Sequence, residues 1–299
     1  MLNKQLIIIL VLVIVLSGSY FHMLKIQDVK NAIIIKEYEK KEIISQKIKS
    51  IFGNMSILAK SALVVDTTNK RVLYDRHSSE TMPLASITKI MTAIVALENL
   101  NPKIKIKITN ESLSEKGDDG LLSGEMWGRD DLIKFTLVTS SNDGARALAM
   151  QIPNFVYKMN VKANELRMTK TTFYNPTGLD ISKTQSGAVG TAKDVATMMN
   201  YAITKYPEIF KNTTMTKRHF KSNKKNHEAI NTNHFLSLFP NITASKTGLT
   251  NLAGGNLAIA FEPIYGDTII AVVMGSSYEG RFLDMEQLAK SSKEIVNSL

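Results

Sequence analysis

Ser86 and Lys89 stand three residues apart at the start of a predicted helix, in the stretch PLASITKIMTAIVALENL from Pro83 to Leu100. Residues at positions i and i+3 lie side by side on a helix, so the serine hydroxyl and the lysine amine should be neighbours. A serine hydroxyl becomes an effective nucleophile when a nearby base removes its proton. A lysine can be that base if its pKa, about 10.4 in water, is lowered by burial or by another cation. The pair therefore predicts a serine nucleophile with a lysine base.

Two more polar motifs follow this pair along the chain. Ser-Ser-Asn at 140–142 interrupts two apolar segments, and Lys-Thr-Gly at 246–248 leads a strand of small residues. Lys246 is a candidate for the second cation that a neutral Lys89 requires. A Ser-x-x-Lys pair alone is a weak signal, because it recurs at Ser222 and Lys225, which we interpret as solvated surface. The order of the three motifs therefore carries the prediction.

The elements that position these motifs are predicted to be a β-hairpin early in the chain, a series of helices in its central part, and strands near its C-terminal end. Two β-rich runs flank Asp-Thr-Thr-Asn at 66–69, which predicts the hairpin. The apolar spacing predicts helices from Ser86, across 131–140, from Asn142, across 156–168 and across 191–206, the last with Thr191 and Asp194 as a capping-box pair. Strands are expected at 241–247, 256–263 and 267–277, before a closing helix from about Arg281. This order predicts an α+β fold, in which an antiparallel sheet built from both chain ends is flanked by helices and carries an inserted all-α subdomain.

The composition is that of an ordinary globular protein, with 299 residues, 44% hydrophobic and 21% charged. The net charge of +10 favours anionic surroundings, but no aromatic-plus-basic motif accompanies it, so no nucleic-acid partner is expected. The absence of cysteine excludes disulfides and a cysteine nucleophile. Paired aspartates at 118–119 and 130–131 lie in turn-like contexts with no histidine at ligand spacing, so no metal is expected. We interpret His219, His227 and His234 as surface or loop residues.

The N-terminus carries an uninterrupted apolar run from Leu6 to Leu16, which continues less regularly to Leu24. The whole stretch is long enough to span a membrane, whereas the small residues at 17–19 would suit signal-peptide cleavage. We favour a single-pass anchor in the cell membrane with the catalytic part outside the cytoplasm, or a secreted protein if the segment is cleaved. The predicted organisation is an anchor or signal peptide at 1–24, a stalk at 25–52 and a catalytic domain at 53–299.

The three motifs, in this order, resemble those of penicillin-binding proteins and serine β-lactamases. Within that superfamily the chain resembles the D-alanyl-D-alanine carboxypeptidase family of low-molecular-mass penicillin-binding proteins, from about Ser61 to Ser292. The connecting segments match as well, including ASITKIMTA, TSSNDGARALA, GTAKDVATMM and ASKTGLTNLAGGNLA. The resemblance implies a β-lactamase/transpeptidase-like fold. It also implies a serine peptidase that trims D-alanine from peptidoglycan stem peptides through an acyl-enzyme, needs no metal or cofactor, and is inhibited by β-lactams.

The resemblance implies catalytic roles for four side chains. Ser86 would be the acylated nucleophile and Lys89 its base. Ser140 and Lys246 would form a proton-relay and electrostatic pair.

The resemblance also implies a set of substrate-binding residues. Asn142 would hold the peptide, and Thr247 with Arg281 would bind the terminal carboxylate. The backbone N–H groups of Ser86 and of Leu249, which follows Gly248, would form the oxyanion hole. An alternative for Arg281 is a surface residue that opens the last helix.

Two alternative functions share these groups. A DD-endopeptidase would cleave peptidoglycan cross-links with the same residues. A non-catalytic sensor would be acylated by β-lactams at Ser86 without turnover.

Overall fold

The structure is a computed structural model that describes residues 3–114, 120–239 and 241–298. The chain divides into two compact units, Met1–Gly53 and Asn54–Leu299. The described part of the first unit is dominated by one helix, α1 (Lys4–Phe52), of 49 residues. An 18-residue window of α1 has a mean hydropathy of 2.4, so the helix is long and apolar enough to cross a membrane. A signal sequence would have the same properties, and the limits at residues 24 and 52 stay predictions.

The second unit alternates short strands and helices. The strands are β1 (Ser61–Asp66), β2 (Arg71–Arg76), β3 (Met82–Pro83), β4 (Lys105–Lys107), β5 (Met126–Gly128), β6 (Thr172–Phe173), β7 (Ala188–Gly190), β8 (Lys217–Lys221), β9 (Asn226–Ile230), β10 (Ile242–Thr250), β11 (Gly254–Phe261) and β12 (Ile269–Ser276). The helices are α2 (Lys89–Asn99), α3 (Arg129–Thr139), α4 (Asn142–Ala149), α5 (Phe155–Glu165), α6 (Ala192–Lys205), α7 (Pro207–Phe210) and α8 (Gly280–Val296). Short 3₁₀ turns lie at Ala85–Thr88, Ser112–Ser114, Lys211–Thr214 and Leu236–Leu238.

The main sheet has the strand order β10-β11-β12-β1-β2, and its neighbouring strands are antiparallel. The two N-terminal strands thus join three C-terminal strands, so the predicted sheet built from both chain ends is confirmed. The early hairpin pairs Ala62 with Arg76 and Asp66 with Arg71, as the turn residues indicated. Strands β12 and β11 are almost entirely buried, because helices cover the sheet.

The inserted block between β2 and β10 contains the predicted helices and also three small sheets. These sheets have the orders β3-β7-β6, β4-β5 and β8-β9. The inserted block is therefore mostly helical rather than purely helical, because strands of two to five residues carried too short a pattern to predict.

Helix α2 lies in the centre of the hydrophobic core. Every residue from Lys89 to Leu97 is buried, so the helix is enclosed on all sides rather than on one apolar face. Its first residue, Lys89, is therefore held inside the protein. The predicted helix start at Ser86 is a 3₁₀ turn that leads directly into α2.

The predicted capping box of α6 is only half formed. Thr191 accepts a hydrogen bond from the backbone of Asp194 at 3.0 Å, as expected of an N-cap. The carboxylate of Asp194 instead accepts one from Thr171 at 2.8 Å. It therefore connects α6 to the segment before β6.

Two polar residues that we interpreted as surface are buried in the β8–β9 hairpin. The side chains of Ser222 and His227 both contact Oε1 of Glu125, at 2.9 and 2.7 Å. The other oxygen of Glu125 accepts hydrogen bonds from Leu122 and Trp127. The interpretation of Ser222 as solvated and of His227 as exposed is wrong, because this fully buried carboxylate requires donors. Of the two aspartate pairs, residues 118–119 lie outside the described residues, and Asp130 pairs with Arg129.

Glu125→Ala is expected to destabilise the protein by about 3 kcal/mol, because it leaves the ring N–H donors of Trp127 and His227 buried without their carboxylate acceptor. Burial alone would raise the pKa of Glu125, but the four hydrogen bonds outweigh it and lower that pKa below its usual value. The ionised Glu125 should therefore stabilise the unsubstituted protein fully above pH about 4.3, the ordinary pKa of a glutamate. This stabilisation should be lost as the pH falls through the lowered pKa of Glu125 in the folded protein.

Urea unfolding at several pH values measures both effects. Glu228→Ala is the control, since Glu228 is an exposed carboxylate on the same hairpin. Equal stability of the Glu125 and Glu228 variants would contradict a stabilising role for the buried cluster.

Candidate active site

The backbone before Ser86 has an unusual conformation that the surrounding residues hold in place. Ala85 has a φ of +48°, which is uncommon for a residue with a Cβ. The buried amide of Asn256 donates to the carbonyl oxygens of Pro83 at 2.9 Å and Leu84 at 3.1 Å. These contacts fix the turn that presents Ser86 at the start of a buried helix.

Two glycines allow other segments to pass close to this turn. A Cβ on Gly178 would lie 1.9 Å from the carbonyl oxygen of Ala85, and Gly178 itself has a φ of +78°. A Cβ on Gly248 would lie 3.0 Å from the carbonyl oxygen of Leu84. The third motif therefore lies directly beside the turn that carries the first.

Lys89 joins the first and second motifs. Its Nζ lies 2.8 Å from Ser86 Oγ, 2.7 Å from Asn142 Oδ1 and 2.9 Å from the carbonyl oxygen of Thr177. Of these three groups, only the Ser86 hydroxyl can donate a hydrogen bond to the amine. A neutral amine has two N–H donors and one lone pair, so this arrangement can satisfy it while its lone pair accepts the serine proton. Lys89 is fully buried, so its amine meets only groups of the protein.

Ser140 and Lys246 form the second polar pair of the site. Lys246 Nζ donates to Ser140 Oγ at 2.8 Å and to the carbonyl oxygen of Thr247 at 3.0 Å. Ser140 ends α3 with a φ of +62°, and Ser141 then caps α4. This sharp turn directs the Ser140 hydroxyl toward β10 and places Asn142 in the first turn of α4. The structure thus brings all three motifs together.

The three motifs line one open groove of about 250 Å³. Its lining includes the predicted residues Ser86, Ser140, Asn142, Thr247, Gly248, Leu249 and Arg281. Lys89 and Lys246 lie beneath this surface and reach the groove through the hydroxyls of Ser86 and Ser140. All of the predicted site residues therefore lie at this groove or directly beneath it.

Arg281 enters the groove from the first turn of α8. It is only 3% exposed, and its Nη1 donates to the carbonyl oxygen of Gly248 at 2.8 Å. Its guanidinium packs against the rings of Tyr278 and Phe282, with centroid distances of 4.8 and 4.6 Å. Burial lowers the pKa of Arg281 from its ordinary value, so an anion in the groove would stabilise its charge. The alternative of a surface arginine is wrong.

Several residues that shape the site were not predicted from the sequence. The carbonyl of Thr177 contacts Lys89, and the side chain of Asn175 holds that turn by accepting from Thr177 and Gly178. Thr232 and His234 line the groove from the loop after β9. The Asn-Pro-Thr-Gly run at 175–178 is a turn signal that could have indicated the first group. No local signal places the 232–234 loop at the groove.

Comparisons with known proteins show which family the sequence matches. The model of a family described as D-alanyl-D-alanine carboxypeptidase matches residues 46–278 of the chain. The chain is 34% identical over 232 residues to the D-alanyl-D-alanine carboxypeptidase DacF of Bacillus subtilis, covering 73% of this chain and 58% of that protein. It is also 34% identical over 204 residues to the D-alanyl-D-alanine endopeptidase of Pseudomonas aeruginosa, covering 65% and 64%. The chain thus spans about three fifths of the length of these relatives.

A solved structure shows the same fold. Penicillin-binding protein D2 from Listeria monocytogenes, in its cefotaxime-bound form, is similar with a TM-score of 0.68 and 27% sequence identity. The similarity covers 80% of this chain and 98% of that chain. The predicted penicillin-binding fold class is therefore confirmed.

Proposed function

The chain belongs to the D-alanyl-D-alanine carboxypeptidase family, and from this membership we propose that it removes the terminal D-alanine from peptidoglycan stem peptides. The observation that carries the proposal is the buried amine of Lys89, which lies 2.8 Å from Ser86 Oγ beside the second and third motifs. This arrangement supports a serine nucleophile with a lysine base.

Acylation begins when Lys89 takes the proton of Ser86. Ser86 Oγ attacks the carbonyl carbon of the penultimate D-alanine, and the carbonyl oxygen becomes an oxyanion. The backbone N–H groups of Ser86 and Leu249 stabilise that charge. When the intermediate collapses, the C–N bond breaks and the departing D-alanine amine takes a proton from the Ser140 hydroxyl, which Lys246 contacts. The proton that Lys89 took from Ser86 then passes to Ser140, so both lysines regain their starting protonation. Water then hydrolyses the ester and restores the Ser86 hydroxyl.

The cationic end of the groove supports recognition of a terminal carboxylate. Arg281 is buried there, and among the described residues its Nε has no hydrogen-bond partner. The Thr247 hydroxyl lines the same groove. A carboxylate in the groove would pair with the positive charge of the guanidinium. The same groups would accept the carboxylate of a β-lactam, so we expect β-lactams to acylate Ser86 and inhibit the protein.

Endopeptidase activity on cross-links is the second candidate. It is favoured by the Pseudomonas aeruginosa relative, an endopeptidase that is as similar in sequence as the carboxypeptidase from Bacillus subtilis. Incubation with a cross-linked dimer peptide beside a pentapeptide that ends in D-Ala-D-Ala separates the two activities.

We place this reaction outside the cytoplasm. The apolar window of α1 supports a single-pass anchor, and peptidoglycan substrates lie on the outer side of the cell membrane. Equal recovery of the full-length chain in the membrane fraction before and after a high-salt wash would support the anchor. Release by salt would contradict it.

Carboxylate recognition predicts that a stem peptide ending in free D-Ala-D-Ala is cleaved roughly ten- to a hundredfold faster than the same peptide amidated at its C-terminus. A hydrogen bond to a charged group contributes about 1.5–3 kcal/mol, which corresponds to that ratio if it is made in the transition state. Arg281→Ala should reduce the ratio between the cleavage rates of the free-acid and the amidated peptide. This ratio is measured from the steady-state release of D-alanine or its amide by the full-length protein in detergent.

Arg146→Ala is a matched control, because Arg146 lies on α4 but pairs with Glu111 rather than lining the groove. Its acid-to-amide ratio should equal that of the parent. Equal cleavage of acid and amide by the parent would contradict the carboxylate site.

A further inference from the structure

Thr232 contacts the third motif directly, although it lies outside all three motifs. Its Oγ1 is 2.6 Å from Oγ1 of Thr247, and both residues line the groove. Thr232 lies on the loop between β9 and β10, fifteen residues before Thr247. The two hydroxyls therefore form a hydrogen-bonded pair at the surface where the proposed carboxylate binds.

Buried asparagines on each side hold the loop that carries Thr232. The amide of Asn231 donates to the carbonyl oxygens of Thr213 and Met215, at 2.8 and 3.0 Å. The amide of Asn233 donates to Ser245 Oγ at 2.8 Å. The backbone N–H of Thr232 itself donates to Val138 at 3.2 Å. Thr232 is therefore positioned before any substrate arrives, at little further cost in conformational entropy.

The number of protons in the pair limits what the two hydroxyls can do. Each threonine has one O–H donor, so only one hydroxyl can donate to the other. If Thr247 donates to Thr232, its proton is not available to a carboxylate. If Thr232 donates to Thr247, the Thr247 proton can point at an anion, and the first hydrogen bond strengthens the second.

The charge of the groove favours the second arrangement once an anion is bound. Arg281 is buried beside the groove, with an Nε that has no partner among the described residues. An anion held there attracts the proton of Thr247 rather than its lone pair.

We propose that Thr232 is a positioning residue that donates its hydroxyl proton to Thr247 and thereby directs the Thr247 hydroxyl to the carboxylate of the acyl donor. The proposal rests on the proposed function in requiring an acyl donor with a carboxylate at this end of the groove. It assigns Thr232 a role in selecting anionic substrates, and no role in proton transfer to or from Ser86.

The test compares acylation of Ser86 by a penicillin with acylation by its methyl ester, using full-length protein in detergent. Thr232→Val keeps the shape of the side chain and removes the hydroxyl, whereas Thr232→Ser keeps the hydroxyl. Thr232→Val should slow acylation by the free acid about tenfold and leave acylation by the ester unchanged. Thr232→Ser should restore the parent rate to within about twofold. The exposed Thr197 provides the control variant Thr197→Val, which should change neither rate.

If Thr232→Val slowed acylation by the acid and by the ester equally, the effect would be purely structural and the proposal would be overturned. Unchanged acylation rates with both penicillins would also overturn it. D-alanine release from the pentapeptide is measured in parallel. Penicillin acylation without D-alanine release would refute the proposed peptidase, while the acid-to-ester ratio would still decide the role of Thr232. If neither the penicillin nor its methyl ester acylated the parent protein, both the proposed peptidase function and the role of Thr232 would be overturned.

Discussion

Replacing Ser86 with alanine is expected to abolish covalent labelling of the full-length protein by a fluorescent penicillin and to lower D-alanine release by about a millionfold. Ser86 carries the hydroxyl that contacts the buried amine of Lys89 at the base of the groove. Removing the nucleophile prevents the covalent intermediate, so this effect should be the largest of any single substitution. Gel fluorescence after denaturation measures the label, and thermal unfolding shows whether the variant remains folded.

The second Ser-x-x-Lys sequence provides a matched control. Ser222 has the same spacing to Lys225, but its hydroxyl contacts Glu125 and the backbone of the hairpin turn. Ser222→Ala should therefore keep the label. Labelling that survives in Ser86→Ala, or that depends on Ser222, would contradict the assignment of the nucleophile.

Replacing Lys89 with methionine is expected to slow acylation by about 10²–10⁴, which is the usual contribution of general base catalysis. Methionine approximates the length of the lysine side chain without the amine, so the core around α2 should remain filled. The acylation rate under single-turnover conditions measures the effect. Lys89 and Ser86 act as one unit, so the double variant should release D-alanine no more slowly than Ser86→Ala alone.

Lys89→Arg separates the role of a base from that of a positive charge. Arginine keeps the charge but does not lose its proton in proteins, so this variant should also be slow. If Lys89 is the base, the acylation rate of the parent protein should rise with pH as the amine loses its proton. An arginine variant at the parent rate, or a flat pH profile in the parent, would exclude Lys89 as the base.

The local pattern of the sequence determined the elements that carry the site. Two β-rich runs around turn residues predicted the β1–β2 hairpin, and the three-and-four spacing of apolar residues predicted α2. Strand-like segments late in the chain predicted β10 to β12. Each of these signals depends on residues close in the chain. The motif order identified Ser86, Lys89, Ser140, Asn142 and Lys246 as candidates, and the structure places them at one groove. Their individual roles stay predictions.

The burial of polar residues was only partly visible in the sequence. In β9 the buried positions alternate, so His227 shares the inner face with Ala229. This alternation could have indicated a buried histidine, but a strand of five residues is too short for the pattern to stand out in the sequence. Its acceptor, Glu125, lies 102 residues earlier and gave no such signal.

Only the tertiary structure decided which polar groups meet. The carbonyl of Thr177 reaches Lys89 across 88 residues, and Lys246 reaches Ser140 across 106. Arg281 is buried because α8 packs against β12 and β11 and its guanidinium reaches the carbonyl oxygen of Gly248, which the position of Arg281 at a helix start did not reveal. Such contacts depend on how distant elements pack, and a hydrogen bond between distant residues leaves no periodic pattern in the chain. The sequence by itself therefore determined the elements and the candidate nucleophile, whereas packing decided the partners of Lys89, the burial of Arg281 and the place of Thr232 beside Thr247.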